Sequence, residues 1–113
     1  MLELKNKKID TMTVLSPVGR IDSATAKSFE DGVMKFLDGS SNKIVMDLSS
    51  LEYVSSAGLR VFLTAAKKAK SLGGGLTLCA PKPNVREVFD ISGFTNLFGV
   101  HASEKDACAS FAK

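Results

Sequence analysis

Tryptophan is absent from this chain, and tyrosine and histidine occur once each. Proteins that hold single-stranded nucleic acid stack bases on aromatic rings, and no basic stripe here alternates with aromatics. The net charge of +3, from 15 Lys and Arg against 12 Asp and Glu, therefore predicts no direct nucleic-acid partner. Lys5, Lys7 and Lys8 stand beside Glu3 and Asp10, and Lys67, Lys68 and Lys70 fall late in a predicted helix, whose negative end they complement. Cysteine is scarce too. Cys79 and Cys108 form no C-x-x-C pair and meet no clustered histidines, which leaves neither a disulfide framework nor a metal site to expect. No cofactor is expected, and a reduced, cytoplasmic protein is. The first ten residues carry charges throughout, unlike a signal peptide. No apolar run approaches the ~20 residues that span a bilayer, so no membrane insertion is expected.

What is present suits a packed core. A chain of 113 residues has room for one domain, and 44% hydrophobic residues can fill it without staples. Leu2 and Leu4 alternate with charge, as in an exposed edge strand. Residues 12–18 (MTVLSPV) read as a second strand, with Pro17 placed at its end because proline offers no ladder donor. Asp22 and Ser23 are suitable helix caps, after which Ala26, Phe29, Val33, Phe36 and Leu37 recur at helical spacing up to Gly39, Ser40 and Ser41. Residues 43–48 (KIVMDL) form an apolar run fit for a central strand. A turn at Ser49 and Ser50 leads to a helix over 56–72, with Leu59, Phe62, Leu63, Ala66 and Ala69 inside and Arg60, Thr64, Lys67 and Ser71 outside. Gly73 to Gly75 close it. Residues 76–79 make a strand, and Pro81 and Pro83 begin a short helix that turns Val85, Val88 and Phe89 inward until Gly93. A strand over 97–100 and a helix capped by Ser103, burying Ala107 and Phe111, complete the chain. The order β-β-α-β-α-β-α-β-α implies an α/β fold: a single mixed, mostly parallel sheet of about five strands, with about four helices.

In such sheets, sites gather where the chain leaves a strand's carboxyl end and enters a helix. Here that place runs from Asp47 through Leu48-Ser49-Ser50-Leu51-Glu52-Tyr53-Val54-Ser55-Ser56-Ala57-Gly58 to Leu59. Ser55 and Ser56 fall at a helix start, where backbone N–H groups lack partners and a phosphate is electrostatically welcome. The plain alternative is that both serines are only caps. Asp47 is expected to bond the turn after its strand. Gly58 suits either a close-approaching partner backbone or tight helix–sheet packing. Gly73 to Gly75 follow a helix and precede no Lys-Ser/Thr, which rules out a nucleotide loop. His101 has no triad or metal partner at a suitable spacing and is expected in a loop. Cys79 reads as a small buried hydrophobe and Cys108 as helical packing. A receiver domain phosphorylated on Asp47 would need an early acidic pair and a late-strand lysine, which are missing from the right places.

The stretch 47–61 resembles the signature of the STAS family, named for sulfate transporters and anti-sigma-factor antagonists. That signature is a strand, Asp-Leu-Ser, a hydrophobic spacer, then Asp/Ser-Ser-Ser/Ala-Gly-Leu opening a helix. Gly19-Arg20-Ile21-Asp22 resembles the family's segment before its first helix, and 85–93 with Leu97-Phe98 its third helix and last strand. The resemblance implies a single STAS domain over 1–113 that is not an enzyme. It implies a stand-alone antagonist that binds a serine-kinase anti-sigma factor, regulates transcription, and is reset by a serine phosphatase. It places the phosphoacceptor at Ser56. Many members carry Asp where this chain has Ser55 and Ser where it has Ala57, so Ser55 is the alternative acceptor. The implied partner surface comprises Asp22, Ser55, Ser56, Ala57, Gly58, Arg60 and Thr64. The free chain is expected to be a monomer or weak dimer. The competing family role is a regulatory module of a transporter or lipid-trafficking complex, without a phosphorylation cycle.

Overall fold

The structure, a computed structural model, describes residues 2–38, 42–94 and 99–111. Its strands are β1 (Leu2–Ile9), β2 (Met12–Ile21), β3 (Lys43–Asp47), β4 (Leu51–Val54), β5 (Gly75–Cys79) and β6 (Gly99–His101). Its helices are α1 (Ala26–Met34), α2 (Ser56–Ser71), α3 (Pro83–Ile91) and α4 (Glu104–Ser110). One six-stranded sheet runs β1-β2-β3-β5-β6, with β4 also paired to β2. β1 and β2 form an antiparallel hairpin through Asp10, whose φ of 54° makes the turn, and the other pairings are parallel. This is the mixed, mostly parallel α/β architecture that the strand–helix alternation predicts, with six strands in place of about five.

Period-two alternation puts two cores on the two faces of the sheet. Leu15, Ile44, Met46, Leu76 and Leu78 point to one face, where α1, α2 and α3 pack. Phe29, Phe62 and Phe89, one from each helix, meet there with ring centroids 5.2 and 5.3 Å apart. Val14, Val45 and Cys79, each next in sequence to one of those residues, point to the other face and meet Ala107 of α4. A 2.9 Å ion pair from Lys7 to Glu104 ties α4 to the edge strand.

The added strand is β4. Its buried residues are Leu51 and Val54, an in-out-out-in pattern that breaks the expected alternation, so it reads as a spacer. β2 pairs first with β3, at Met12↔Lys43 to Leu15↔Met46, and then with β4, at Gly19↔Leu51 to Ile21↔Val54. β3 and β4 are thus two lengths of one line beside β2, interrupted by a turn. Pro17 lies within β2 and not at its end, in the gap between these two pairings where the parallel ladder is already broken.

Other boundaries shift for local reasons. α1 begins after Asp22 and Ser23 at Ala26, with Thr25 as its cap residue, and ends at Met34. Phe36 and Leu37 follow in tighter turns that donate to Val33 and Met34, yet Leu37 stays buried. The expected stop at Gly39, Ser40 and Ser41 lies outside the described residues, as do Leu97 and Phe98. On α2 the inner face is rotated toward α1: Val61 and Ala65 are buried, whereas Leu63 and Ala66 are only half-buried. Pro83 alone opens α3, with Lys82 as its cap, and Gly93 with φ +81° follows it. Ser103 caps α4 by accepting from the Asp106 N–H at 3.2 Å. His101 is the last residue of β6, not a loop residue. Gly73 takes φ +91°, and a Cβ on Gly74 would lie 1.9 Å from the Asn42 carbonyl oxygen, so the glycines after α2 serve a tight turn.

Cys79 is fully buried, and desolvation, followed by the nearby Asp47 and Glu104 charges, pushes its thiol up to about 12. The neutral thiol therefore supports the fold fully below the ordinary value of 9.0, and that support is lost as pH rises from there toward about 12. A thiol-reactive dye at pH 8 should find at most one group per native chain, Cys108, and two in denaturant. Between pH 9 and 11 the stability of Cys79→Ala should fall less steeply than that of the parent.

Candidate functional site

The carboxyl ends of β2 and β4 and the first turn of α2 meet at one end of the sheet. Asp47 at the end of β3 accepts the Ser49 N–H at 3.0 Å, which shapes the turn into β4, as expected of it. β4 then runs along β2 until the Ser55 N–H donates to the Ile21 carbonyl at 2.8 Å. Ser55 is extended, with φ −92° and ψ 174°, and its Oγ accepts the Gly58 N–H at 3.2 Å. It is the N-cap of α2.

Ser56 is the first helical residue and is exposed; its hydroxyl forms no hydrogen bond among the described residues. The two neighbouring serines therefore divide their tasks. One oxygen holds the helix start and the other faces solvent.

Gly58 is turned inward and buried. A Cβ there would sit 2.6 Å from Ile21 Cγ2 and 2.9 Å from Val54 Cγ2. Of the two roles open to Gly58, the geometry shows packing: it lets α2 lie directly on β2 and β4.

Asp22 is half-buried and folds back on its own turn. Its carboxylate accepts the N–H groups of Ala24 and Thr25 at 2.9 and 3.1 Å and the Thr25 hydroxyl at 3.2 Å. Desolvation pushes its pKa upward, but these bonds and the charge of Arg20 outweigh it and hold the carboxyl below its ordinary range. Its support for this turn is present above the ordinary value of 3.8 and is lost as pH falls below it.

A groove of about 290 Å³ separates α1 from α2, lined by Ser23, Ala26, Lys27, Glu30, Ala57, Arg60, Val61 and Thr64. It joins the expected Ala57, Arg60 and Thr64 to Lys27 and Glu30 of α1, which the sequence pattern does not single out. Arg60 is exposed, and Thr64 ties its hydroxyl to the Arg60 carbonyl at 3.0 Å. The Arg20 guanidinium lies 4.4 Å from the centroid of the exposed Tyr53 ring, a cation–π contact made where β2 and β4 run side by side. No local signal marks that pair, because it arises only from strand register. Among the described residues, no three His, Cys, Asp or Glu side chains converge as a metal site would require.

The family profile of the STAS domain matches residues 3–107. The chain belongs to the STAS family. Among its relatives is BtrV of Bordetella bronchiseptica, a candidate anti-sigma factor antagonist, 43% identical over 97% of this chain and 95% of that protein. The crystal structure of a candidate anti-sigma factor antagonist from Thermotoga maritima matches with a TM-score of 0.91 at 24% identity, covering 97% of this chain and 95% of the other. The anti-sigma factor antagonist SpoIIAA of Bacillus matches as a fold in both its unphosphorylated and phosphorylated forms, with TM-scores of 0.78 and 0.71 at 20% identity. The first covers 94% of this chain and 93% of the other, and the second 97% and 98%.

The tight seat of this STAS helix reverses an ordinary expectation. Gly→Ala within a helix usually stabilises by about 0.5–1 kcal/mol. Here Gly58→Ala should destabilise by about 1–3 kcal/mol, because the methyl group overpacks Ile21 and Val54. Urea denaturation of the two chains measures the sign.

Proposed function

We propose that this STAS domain is an anti-sigma-factor antagonist that binds a serine-kinase anti-sigma factor while unphosphorylated and is released when Ser56 is phosphorylated. The observation that carries the reading is the solvent-facing Ser56 hydroxyl at the first position of α2, beside a Ser55 already engaged in capping. Modifying Ser55 would disturb a cap worth about 1 kcal/mol, whereas modifying Ser56 disturbs no bond of the fold. The name of BtrV and the two solved forms of SpoIIAA support both halves of the proposal, the antagonist and the switch.

The physical effect lies outside the domain. α2 has no acid in its first turn, so added negative charge there is favoured by the helix dipole and the scaffold tolerates it. Inside an interface whose partner offers it no counter-charge, taking the same dianion out of water costs several kcal/mol. Every ~1.4 kcal/mol is tenfold in affinity, so binding falls by about two decades or more. The domain acts by occupying its partner and turns over no substrate; a serine phosphatase restores the binding form. It works in the cytoplasm, and no helix among the described residues is long and apolar enough to cross a membrane.

Incubation with ATP and an anti-sigma factor of the serine-kinase class should add one phosphate, mapped by mass spectrometry to Ser56. A phosphate on Ser49 or Thr64 instead would refute the assignment. Ser56→Ala should hold the kinase constitutively and Ser56→Asp should bind it at least ~10-fold more weakly, with the melting temperature of both close to the parent. Equal affinities would contradict repulsion at the interface.

A further inference from the structure

We propose that a phosphate on Ser56 is captured within the chain by the guanidinium of Arg60, one helical turn further along α2. This rests on the reading of Ser56 as phosphoacceptor and adds a positioning residue to it. Residues four apart on a helix have Cβ atoms about 5–6 Å from each other, and an anion placed N-terminal to a cation is the favourable order. The Cα–Cβ bonds of a helix tilt toward its N-terminus, so the long Arg60 side chain covers the turn that begins with Ser56. Arg60 lines the groove together with Ala57 and Ser23, which stand at that same end.

The charges around the pair leave Arg60 available. α2 carries Arg60, Lys67, Lys68 and Lys70 and no acid at all. Across the groove, α1 presents Lys27 and Glu30. Lys27 is held by Asp31 at 3.2 Å and lies 4.0 Å from Glu30, whereas Arg60 forms no ion pair among the described residues. A phosphoserine bears about −1.5 to −2 charges and offers oxygens that match the fork of a guanidinium. Capture would make modification count twice at the docking face, since an anion appears there and a cation is withdrawn from it.

The test places phosphoserine at position 56 during translation, without any kinase, and follows the phosphate by ³¹P NMR as pH is varied. A phosphoserine ordinarily loses its second proton near pH 6. The parent should titrate about 0.15–0.4 pH unit below Arg60→Gln. Arg60→Lys should recover part of that difference, which should vanish at about 1 M salt, where the Debye length is only ~3 Å. Arg60 is exposed, and unchanged far-ultraviolet circular dichroism confirms that the variants keep the fold. Coincident curves for the parent and Arg60→Gln overturn the capture. Because no kinase is involved, that result is distinct from a failure of the Ser56 assignment, which the phosphate mapping decides.

Discussion

The missing Cβ at position 58 allows the first turn of α2 to rest on Ile21 and Val54, and the rest of the site depends on that seat. With the helix start held against the ends of β2 and β4, Ser55 reaches back to the Gly58 N–H and its own N–H reaches the Ile21 carbonyl. Ser56, the next residue, is then directed to solvent. A methyl group inserted beneath this turn would displace the cap, the hydroxyl and the groove together, because all three are referred to the same two strands.

The remainder of the domain holds that seat rigid. The three phenylalanines of α1, α2 and α3 interlock on one face of the sheet, and α4 seals a smaller core on the other. None of the charged residues of the groove enters either core. Charge can therefore be added at the surface without touching the contacts that make the fold, and this separation suits a domain read by a partner through its surface chemistry.

Much of the architecture is written in local pattern. Strand–helix alternation, the proline and glycine at the ends of α3, and the Ser103 cap each act within a few residues, so the sequence reveals them directly. Misreadings occur where distant parts of the chain decide. β4 looks like a spacer because its two apolar residues are separated by two exposed ones; it is a strand because β2 lies alongside. Pro17 looks like a strand end because a proline usually marks one, yet it occupies a gap created by β2 changing partners. The buried face of α2 includes Val61 and Ala65 because α1 packs there, and no helical period within α2 contains that information.

By itself, the sequence determined the α/β class, the family signature, and the helix start at which two serines stand, since each depends on residue types at short range. Only the tertiary structure decided which serine is the cap and which faces solvent, and that Gly58 serves packing. It also brought Arg20 against Tyr53 and α1 against Arg60. Those outcomes depend on register between strands and on the rotation of one helix against another, which are set by contacts across the fold and not by neighbours along the chain.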